Sequence, residues 1–264
     1  MKPRRNEIKR MRVFACELAV SAGRILRTGF NRVLRIEYKG RIDPVTQYDV
    51  KAERHITRSI MKKFPGHSIL AEEGSGADES SPFRWVIDPL DGTVNYAHGF
   101  PVYCVSIALE YEDQATAAAV YDPERDELFS AGLGLGAHLN GKKICVSSEK
   151  QLSRSMLATG FAYSVATARK NNLGLFGRMV KKAQAVRRPG SAALDLCWLA
   201  CGRLDGFWEL HLHPWDTAAG RLVVEEAGGA VTRLDGRSYS IFDPEILASN
   251  GRIHRQMQAV LTGK

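Results

Sequence analysis

What the 264-residue sequence lacks narrows it first. No apolar run approaches the roughly 18 residues that span a bilayer, so no membrane-spanning segment is expected. Cysteine is scarce: Cys16, Cys104, Cys145, Cys197 and Cys201 make an odd set with no Cys-x-x-Cys. That excludes a disulfide framework and a zinc ribbon, and suits a reducing compartment. Cys197 and Cys201, four apart on an expected helix, read as small buried apolar residues rather than half a metal site. Proline numbers only 10, and no Pro/Ser/Gly-rich linker, internal repeat or low-complexity tract divides the chain. One domain over residues 1–264 is therefore expected, made of two tightly packed halves that meet near residue 150. Aromatic residues, 8% of the chain, do not interleave with basic ones, so no stripe of the kind that tracks a nucleic-acid backbone is visible.

What is present is an ordinary globular composition, 44% hydrophobic and 25% charged, which excludes disordered, collagenous and coiled-coil classes. Lys and Arg outnumber Asp and Glu by 37 to 29, a net charge of +8 that admits nucleic acid, acidic lipid or a phosphorylated small molecule as partner. The excess is scattered along the sequence, densest from Lys2 to Arg12 and in doublets such as Lys62-Lys63 and Arg187-Arg188. Nucleic acid is not expected as the main partner. The opening Met-Lys-Pro-Arg-Arg looks like the start of a signal peptide, but Glu17 and Arg24 interrupt any apolar stretch. Ile8, Met11, Ala15, Leu18, Ala22 and Ile25 recur instead at helical spacing, which predicts a first helix over 6–29 and a cytoplasmic protein.

Further along, the pattern predicts a strand over 34–38, a helix over 46–64 stopped by Pro65-Gly66, a strand over 67–71 and a mobile polar loop over 74–81. Strands over 83–88, 102–111, 115–121 and 127–131 read as an antiparallel meander. The second half alternates: strand 156–160, helix 170–182, strand 184–187, helix 191–201, strand 205–209, helix 215–227. Layered α and β structure follows.

Chemistry concentrates in Asp88-Pro89-Leu90-Asp91-Gly92-Thr93-Val94-Asn95, where an apolar strand ends in two carboxylates three apart. Carboxylates held this way converge on hard cations such as Mg²⁺, which prefer oxygen ligands. Gly92 and Thr93 then offer backbone N–H groups to a phosphate at a short helix start. Glu72 and Glu73 follow the strand ending at Ala71, and Trp215-Asp216-Thr217-Ala218-Ala219-Gly220 places another carboxylate at a helix start. Asp216 taken alone reads as a helix cap.

Together these segments resemble the inositol monophosphatase family, whose signature is Asp-Pro-Leu/Ile-Asp-Gly-Thr-x-Asn followed later by Trp-Asp-x-Ala-Ala-Gly. The six fixed positions of the first motif would arise by chance in a chain of this length on the order of once in 10⁵ sequences. The resemblance extends from Lys39 to about Val231 and includes Asp43 to Asp49, Arg188 to Asp195 and Gly206 to Glu209. It implies an α+β, layered α-β-α-β-α fold of the inositol monophosphatase and fructose-1,6-bisphosphatase type. It also implies a lithium-sensitive, Mg²⁺-dependent phosphatase that uses two to three ions and is a homodimer, the apolar run around Phe161 to Val165 or the meander being available for the interface.

By motif position, the resemblance gives Glu72, Asp88 and the carbonyl of Leu90 to a first ion and Asp88, Asp91 and Asp216 to a second. Asp49 and Thr93 would orient and deprotonate the attacking water together with Glu72. Substrate contacts would come from Glu72, Leu90, Asp91, Gly92, Thr93, Gly190, Ser191, Ala192, Glu209 and Asp216. Among these, Glu209 matches the acid that bonds a substrate hydroxyl in inositol-specific members. Lys39 matches a basic position near the site.

The expected reaction is hydrolysis of a polyol phosphate, with myo-inositol 1-phosphate first. Fructose 1,6-bisphosphate, histidinol phosphate and adenosine 3′,5′-bisphosphate remain as alternatives, because relatives acting on them share the metal motifs. A regulatory protein binding RNA or a transcription complex is the rival from another class. Two departures stand out: Tyr48, where many relatives have a small or polar residue, and a short 73–84 segment that would open the pocket to more substrates. His211 and His213 read as alternation on a solvent-facing strand rather than a zinc pair.

Overall fold

Strand β6 (Gln114–Asp122) shows how the layers are organised, because its Ala-Ala-Ala-Val-Tyr run is buried on both faces. Successive side chains in a strand point to opposite sides. Ala117, Ala119 and Tyr121 pack into one apolar cluster while Ala118 and Val120 pack into another. Small side chains at the centre of a sheet let helices approach closely from both sides.

The computed structural model describes residues 3–32, 35–39, 44–76 and 80–263. Leu34 of the expected first strand, Asp43 of the quoted motif and residues 77–79 of the expected loop lie outside them.

Helix α1 (Arg5–Gly29) leads through a hairpin of β1 (Ile36–Tyr38) and β2 (Pro44–Thr46) into α2 (Gln47–Lys63). Then come β3 (Ser68–Ala71), β4 (Phe83–Asp91), the short α3 (Thr93–Ala97) and β5 (Cys104–Tyr111). With β6, β7 (Glu127–Gly132), β8 (Gly136–Leu139) and β9 (Lys142–Lys143), strands β3 to β9 form a seven-stranded sheet in sequence order. It is antiparallel except for β3 with β4. The expected meander is present and continues through β8 and β9.

The second half runs β10 (Met156–Thr159), α4 (Leu173–Val180), β11 (Ala185–Arg187), α5 (Ala192–Ala200), β12 (Gly206–Leu210), α6 (Pro214–Glu226), β13 (Ala230–Thr232), β14 (Glu245–Ser249) and α7 (His254–Thr262). Its sheet has the order β11-β10-β12-β14-β13, with β10 parallel to both its neighbours. Helices α1 and α2 cover one face of the seven-stranded sheet, α5 and α6 lie between the two sheets, and α4 packs with α7 on the far side. This is the expected α-β-α-β-α layering. Three apolar clusters fill the interlayer spaces.

The outer layer changes the picture of the charge. Helices α1 and α2 carry eleven Lys and Arg against four Asp and Glu, and Asp49 and Glu53 among the latter are buried. Residues scattered in sequence become neighbours at helical spacing: Lys51, Arg54, His55, Arg58, Ser59 and Lys62 line a groove of about 400 Å³ along α2. Tyr48, the noted departure, lays its ring where a Cβ on Gly29 would stand, and so joins α2 to the end of α1.

Candidate active site

The central carboxylates owe their placement to an irregularity in β4. Asp88 pairs with Ser106 of β5 and Asp91 with Cys104, so β4 carries one residue more than its partner between these pairs. A bulge of this kind bends the strand and re-aims side chains, and Pro89 is tolerated there because the ladder is already interrupted. Gly92 follows in the left-handed region at φ +97°, where a Cβ would stand 2.8 Å from the carbonyl of Val102. Only glycine suits this turn into α3.

Glu72 reaches the same place from β3. Its N–H continues the parallel ladder by donating to the carbonyl of Ile87 at 3.3 Å, which sets it beside Asp88. The turn beyond it is held by Glu53, a fully buried carboxylate of α2 that accepts from the N–H groups of Glu73 at 2.7 Å and Ser75 at 2.9 Å. Lys39 Nζ stands 3.0 Å from Glu72 and 2.6 Å from Glu73. Burial would lower the lysine pKa, but the charges and hydrogen bonds of these two carboxylates outweigh it and raise it.

Asp91 Oδ2 accepts from Ser191 Oγ at 2.7 Å and Ala193 N–H at 2.8 Å, tying the bulge to the first turn of α5. Asp216 Oδ2 accepts from the N–H of His213 at 2.7 Å and caps α6, so the capping role and the place in the site coexist. Asp88 Oδ1 accepts from the N–H of Leu90 at 2.9 Å. Each aspartate thus uses one oxygen to hold its position. Asn95 Nδ2 fastens the opposite wall, donating to the carbonyls of Val102 at 2.8 Å and Pro189 at 2.9 Å.

A cleft of about 830 Å³ gathers these groups. Of the site residues expected from sequence, Glu72, Asp88, Leu90, Asp91, Gly92, Thr93, Gly190, Ser191, Ala192, Glu209 and Asp216 line it, and Lys39 joins them. Asp49 lies behind, fully buried, and is joined to the cleft by Thr93, whose hydroxyl is 3.2 Å from Asp49 Oδ1 and 2.9 Å from the carbonyl of Leu90. Asp49 Oδ2 also accepts the N–H of Thr46 at 2.9 Å, closing a capping box on α2. Burial raises the Asp49 pKa to about 6.

Lys39 pairs with Glu72, but Asp88, Asp91 and Asp216 form no ion pair among the described residues. Burial, then the charges of Glu72, Asp91 and Asp216, push the Asp88 pKa far above the carboxylate range. Asp91 rises to about 6, burial outweighing its hydrogen bonds from Ser191 and Ala193. Burial and the charge of Asp91 raise Asp216 well above its ordinary value. Among the described residues no three His, Cys, Asp or Glu stand as a ready-made metal cluster. The reason is visible in the contacts: Glu72 turns to Lys39, and Asp91 and Asp216 each commit an oxygen to α5 or α6. The donor set nevertheless fits a hard divalent cation, being all oxygen, anionic and destabilised by mutual repulsion.

Other expectations are changed by the structure. Of the apolar run around Phe161 to Val165, one of the two stretches available to an interface, Phe161, Ala162, Tyr163 and Ser164 line the cleft. His211 and His213 do not alternate on a strand: β12 ends at Leu210, His211 has φ +62° in the loop beyond it, and His213 stacks on Trp215. Asp195 and Gly160, which were given no role, also line the cleft. Asp195 sat in a quoted motif, but one acid in an apolar helix carries no signal until the helix is placed.

The sequence model of the inositol monophosphatase family matches residues 7–263. An inositol-1-monophosphatase of Synechocystis sp. is 46% identical over 94% of this chain and 87% of its own. The Nus factor SuhB of Pseudomonas aeruginosa is 40% identical over 92% of each chain. Among solved structures, an inositol monophosphatase from Anabaena (Nostoc) sp. superposes with a TM-score of 0.89 at 41% identity, covering 97% of this chain and 96% of that one. Bulge, carboxylate cleft, layering and these likenesses agree: the chain belongs to the inositol monophosphatase family and is a phosphatase.

Proposed function

We propose that the protein is a Mg²⁺-dependent phosphomonoesterase whose substrate is the phosphate ester of a polyol, myo-inositol 1-phosphate. The observation that carries this reading is the content of one cleft: a carboxylate cluster together with the side chain of Glu209, to which no described residue donates a hydrogen bond. A cluster of this kind takes cations and with them a phosphate. An unpaired buried carboxylate takes hydroxyl donors.

Glu72, Asp88, the carbonyl of Leu90, Asp91 and Asp216 are the residues we assign to two or three Mg²⁺ ions. When bound, such ions make water acidic and neutralise charge on the phosphate and its leaving oxygen. The chain's own part begins with Thr93. Turned toward Asp49, 3.2 Å away, rather than toward the carbonyl of Leu90, its hydroxyl leaves the oxygen free to accept a proton from water while the Thr93 proton passes to Asp49 Oδ1. A carboxylate with a pKa of about 6 is a stronger base than an exposed one and is still ionised at neutral pH. Gly92 and Thr93 offer first-turn N–H groups to the phosphate, Glu209 accepts a ring hydroxyl, and Gly190, Ser191 and Ala192 form the wall beside it. The resemblance extends this reading to lithium inhibition and a homodimer.

Phosphate release from myo-inositol 1-phosphate, fructose 1,6-bisphosphate, histidinol phosphate and adenosine 3′,5′-bisphosphate, each with Mg²⁺ and with chelator, tests it. Metal-dependent preference for the inositol ester is expected. Preference for another ester would keep the cleft chemistry and replace the substrate.

The basic groove along α2 favours a second role, binding of RNA, beside catalysis. A relative bears the name Nus factor. The groove lies in the outer layer, on the helix that also carries Asp49 but not on the elements that carry Glu72, Asp88, Asp91 and Asp216. RNA affinity that falls steeply with salt, drops on Arg54→Ala with Arg58→Ala and is unchanged by Asp91→Asn is the expected result. Salt-insensitive binding, or none, would discard it.

A further inference from the structure

Gly160 follows β10 directly, beside Glu209 of the neighbouring strand β12, where Thr159 pairs with Trp208. A Cβ built on Gly160 would overlap Oε1, Oε2 and Cδ of Glu209, and these are its three nearest neighbours. Its φ is outside the left-handed region, so the backbone here does not require glycine. The missing side chain has one visible use, which is to make room for the carboxylate.

The backbone of this seat is itself pinned. Asn172, 3% exposed, donates from Nδ2 to Thr159 Oγ1 at 2.7 Å and to the carbonyl of Gly160 at 2.6 Å, and its Oδ1 accepts from Trp208 Nε1 at 2.7 Å. The residues flanking the seat on both strands are therefore clamped to one buried amide. Arg188, whose charge acts on Glu209, makes no hydrogen bond to it among the described residues, and Asp195, 1% exposed on the cleft wall, has an Oδ1 with no hydrogen-bond partner. A group added at position 160 must displace the Glu209 side chain, which is flexible, rather than the strand, which is not.

We propose that Gly160 is a positioning residue for substrate selection: it seats the Glu209 carboxylate against the strand end, and any side chain at 160 moves that carboxylate off the hydroxyls of a polyol phosphate. The inference rests on the polyol reading of Glu209 and adds the residue that sets its geometry. Position 160 then determines whether the enzyme discriminates a hydroxyl-rich ester from one that offers phosphate alone.

Steady-state kinetics on myo-inositol 1-phosphate and on phenyl phosphate, which has no hydroxyl, test this with Gly160→Ala, Glu209→Ala and the double variant, all with saturating Mg²⁺. Gly160→Ala is expected to lower the ratio of kcat/KM for the inositol ester to that for phenyl phosphate at least tenfold, through KM. Glu209→Ala is expected to lower it similarly, and Gly160→Ala on that background to add nothing. A normal ratio in Gly160→Ala beside a reduced one in Glu209→Ala overturns the seat and leaves the polyol reading standing. A normal ratio in Glu209→Ala overturns both. Losses that multiply in the double variant overturn the seat as well. Should Gly160→Ala not fold, the double variant, which removes the overlapping carboxylate, is expected to fold. Its failure would show that the added methyl meets something other than Glu209.

Discussion

Asp91 has a double attachment. Ser191 and Ala193 fix one of its oxygens, and the rest of the carboxylate faces the cleft with its charge uncompensated. Asp91→Asn keeps an oxygen for the two donors and removes the charge. The expected outcome is a loss of kcat/KM of roughly a hundredfold or more, about 3 kcal/mol of transition-state stabilisation, and a higher Mg²⁺ concentration for half-maximal rate. The melting temperature should not fall, because a buried repulsion has been removed. Near-normal turnover would exclude Asp91 from the metal set. Residues of this kind were legible in sequence because two carboxylates around Pro-Leu, followed by Gly-Thr, are improbable without a site. Gly160, Asp195 and Glu53 were not, since their roles exist only relative to side chains far off in sequence.

At the scale of the element, α5 couples the two halves of the site. Ser191 is its N-cap, accepting from the N–H of Leu194 at 3.3 Å, and the same hydroxyl donates to Asp91 on β4. Ser191→Ala removes both bonds. The expected cost is about 1 kcal/mol from the cap, a fall in melting temperature of roughly 2–4 °C for a chain of this size, together with weaker Mg²⁺ activation from a less well held Asp91. Thermal unfolding and a Mg²⁺ titration of rate read the two separately, and a stability loss with unchanged Mg²⁺ dependence would make the residue a cap only. Long elements with strong periodicity, such as α1 and α2, were legible in outline from the sequence. Strands β8, β9 and β13 were not, being short and next to glycine-containing turns, so that their pairing is decided by the sheet they join.

For the whole molecule, the acids of the cleft link stability to pH and metal. Burial raises the Glu209 pKa from 4.5 to about 8, with Arg188 opposing and Asp91 adding to the rise. Asp88, Asp195 and Asp216 also lie well above their ordinary values. The folded chain therefore holds protons that the unfolded chain has already released, and stability falls as pH rises through the folded values. His67, His138 and His254, whose pKa values burial lowers, act oppositely but below about pH 6.5. Between pH 7 and 9 the acids dominate. With chelator, the melting temperature is expected to drop by several degrees across that window, less so in Glu209→Gln, and Mg²⁺ should stabilise more at pH 9 than at pH 7. A flat profile with chelator would refute the uncompensated cluster.

The sequence by itself determined the family and the α+β layering and named the carboxylates that line the cleft, because both motifs are contiguous and each residue type in them is tied to one chemistry. Tertiary structure alone decided which side chains share the cleft. It made Phe161 to Ser164 a wall, took His211 and His213 off the strand, gathered the positive charge on α1 and α2, and set Glu209 against Gly160. These depend on strand register and helix packing, where a shift of one residue sends a side chain to the opposite face. No local pattern encodes that choice.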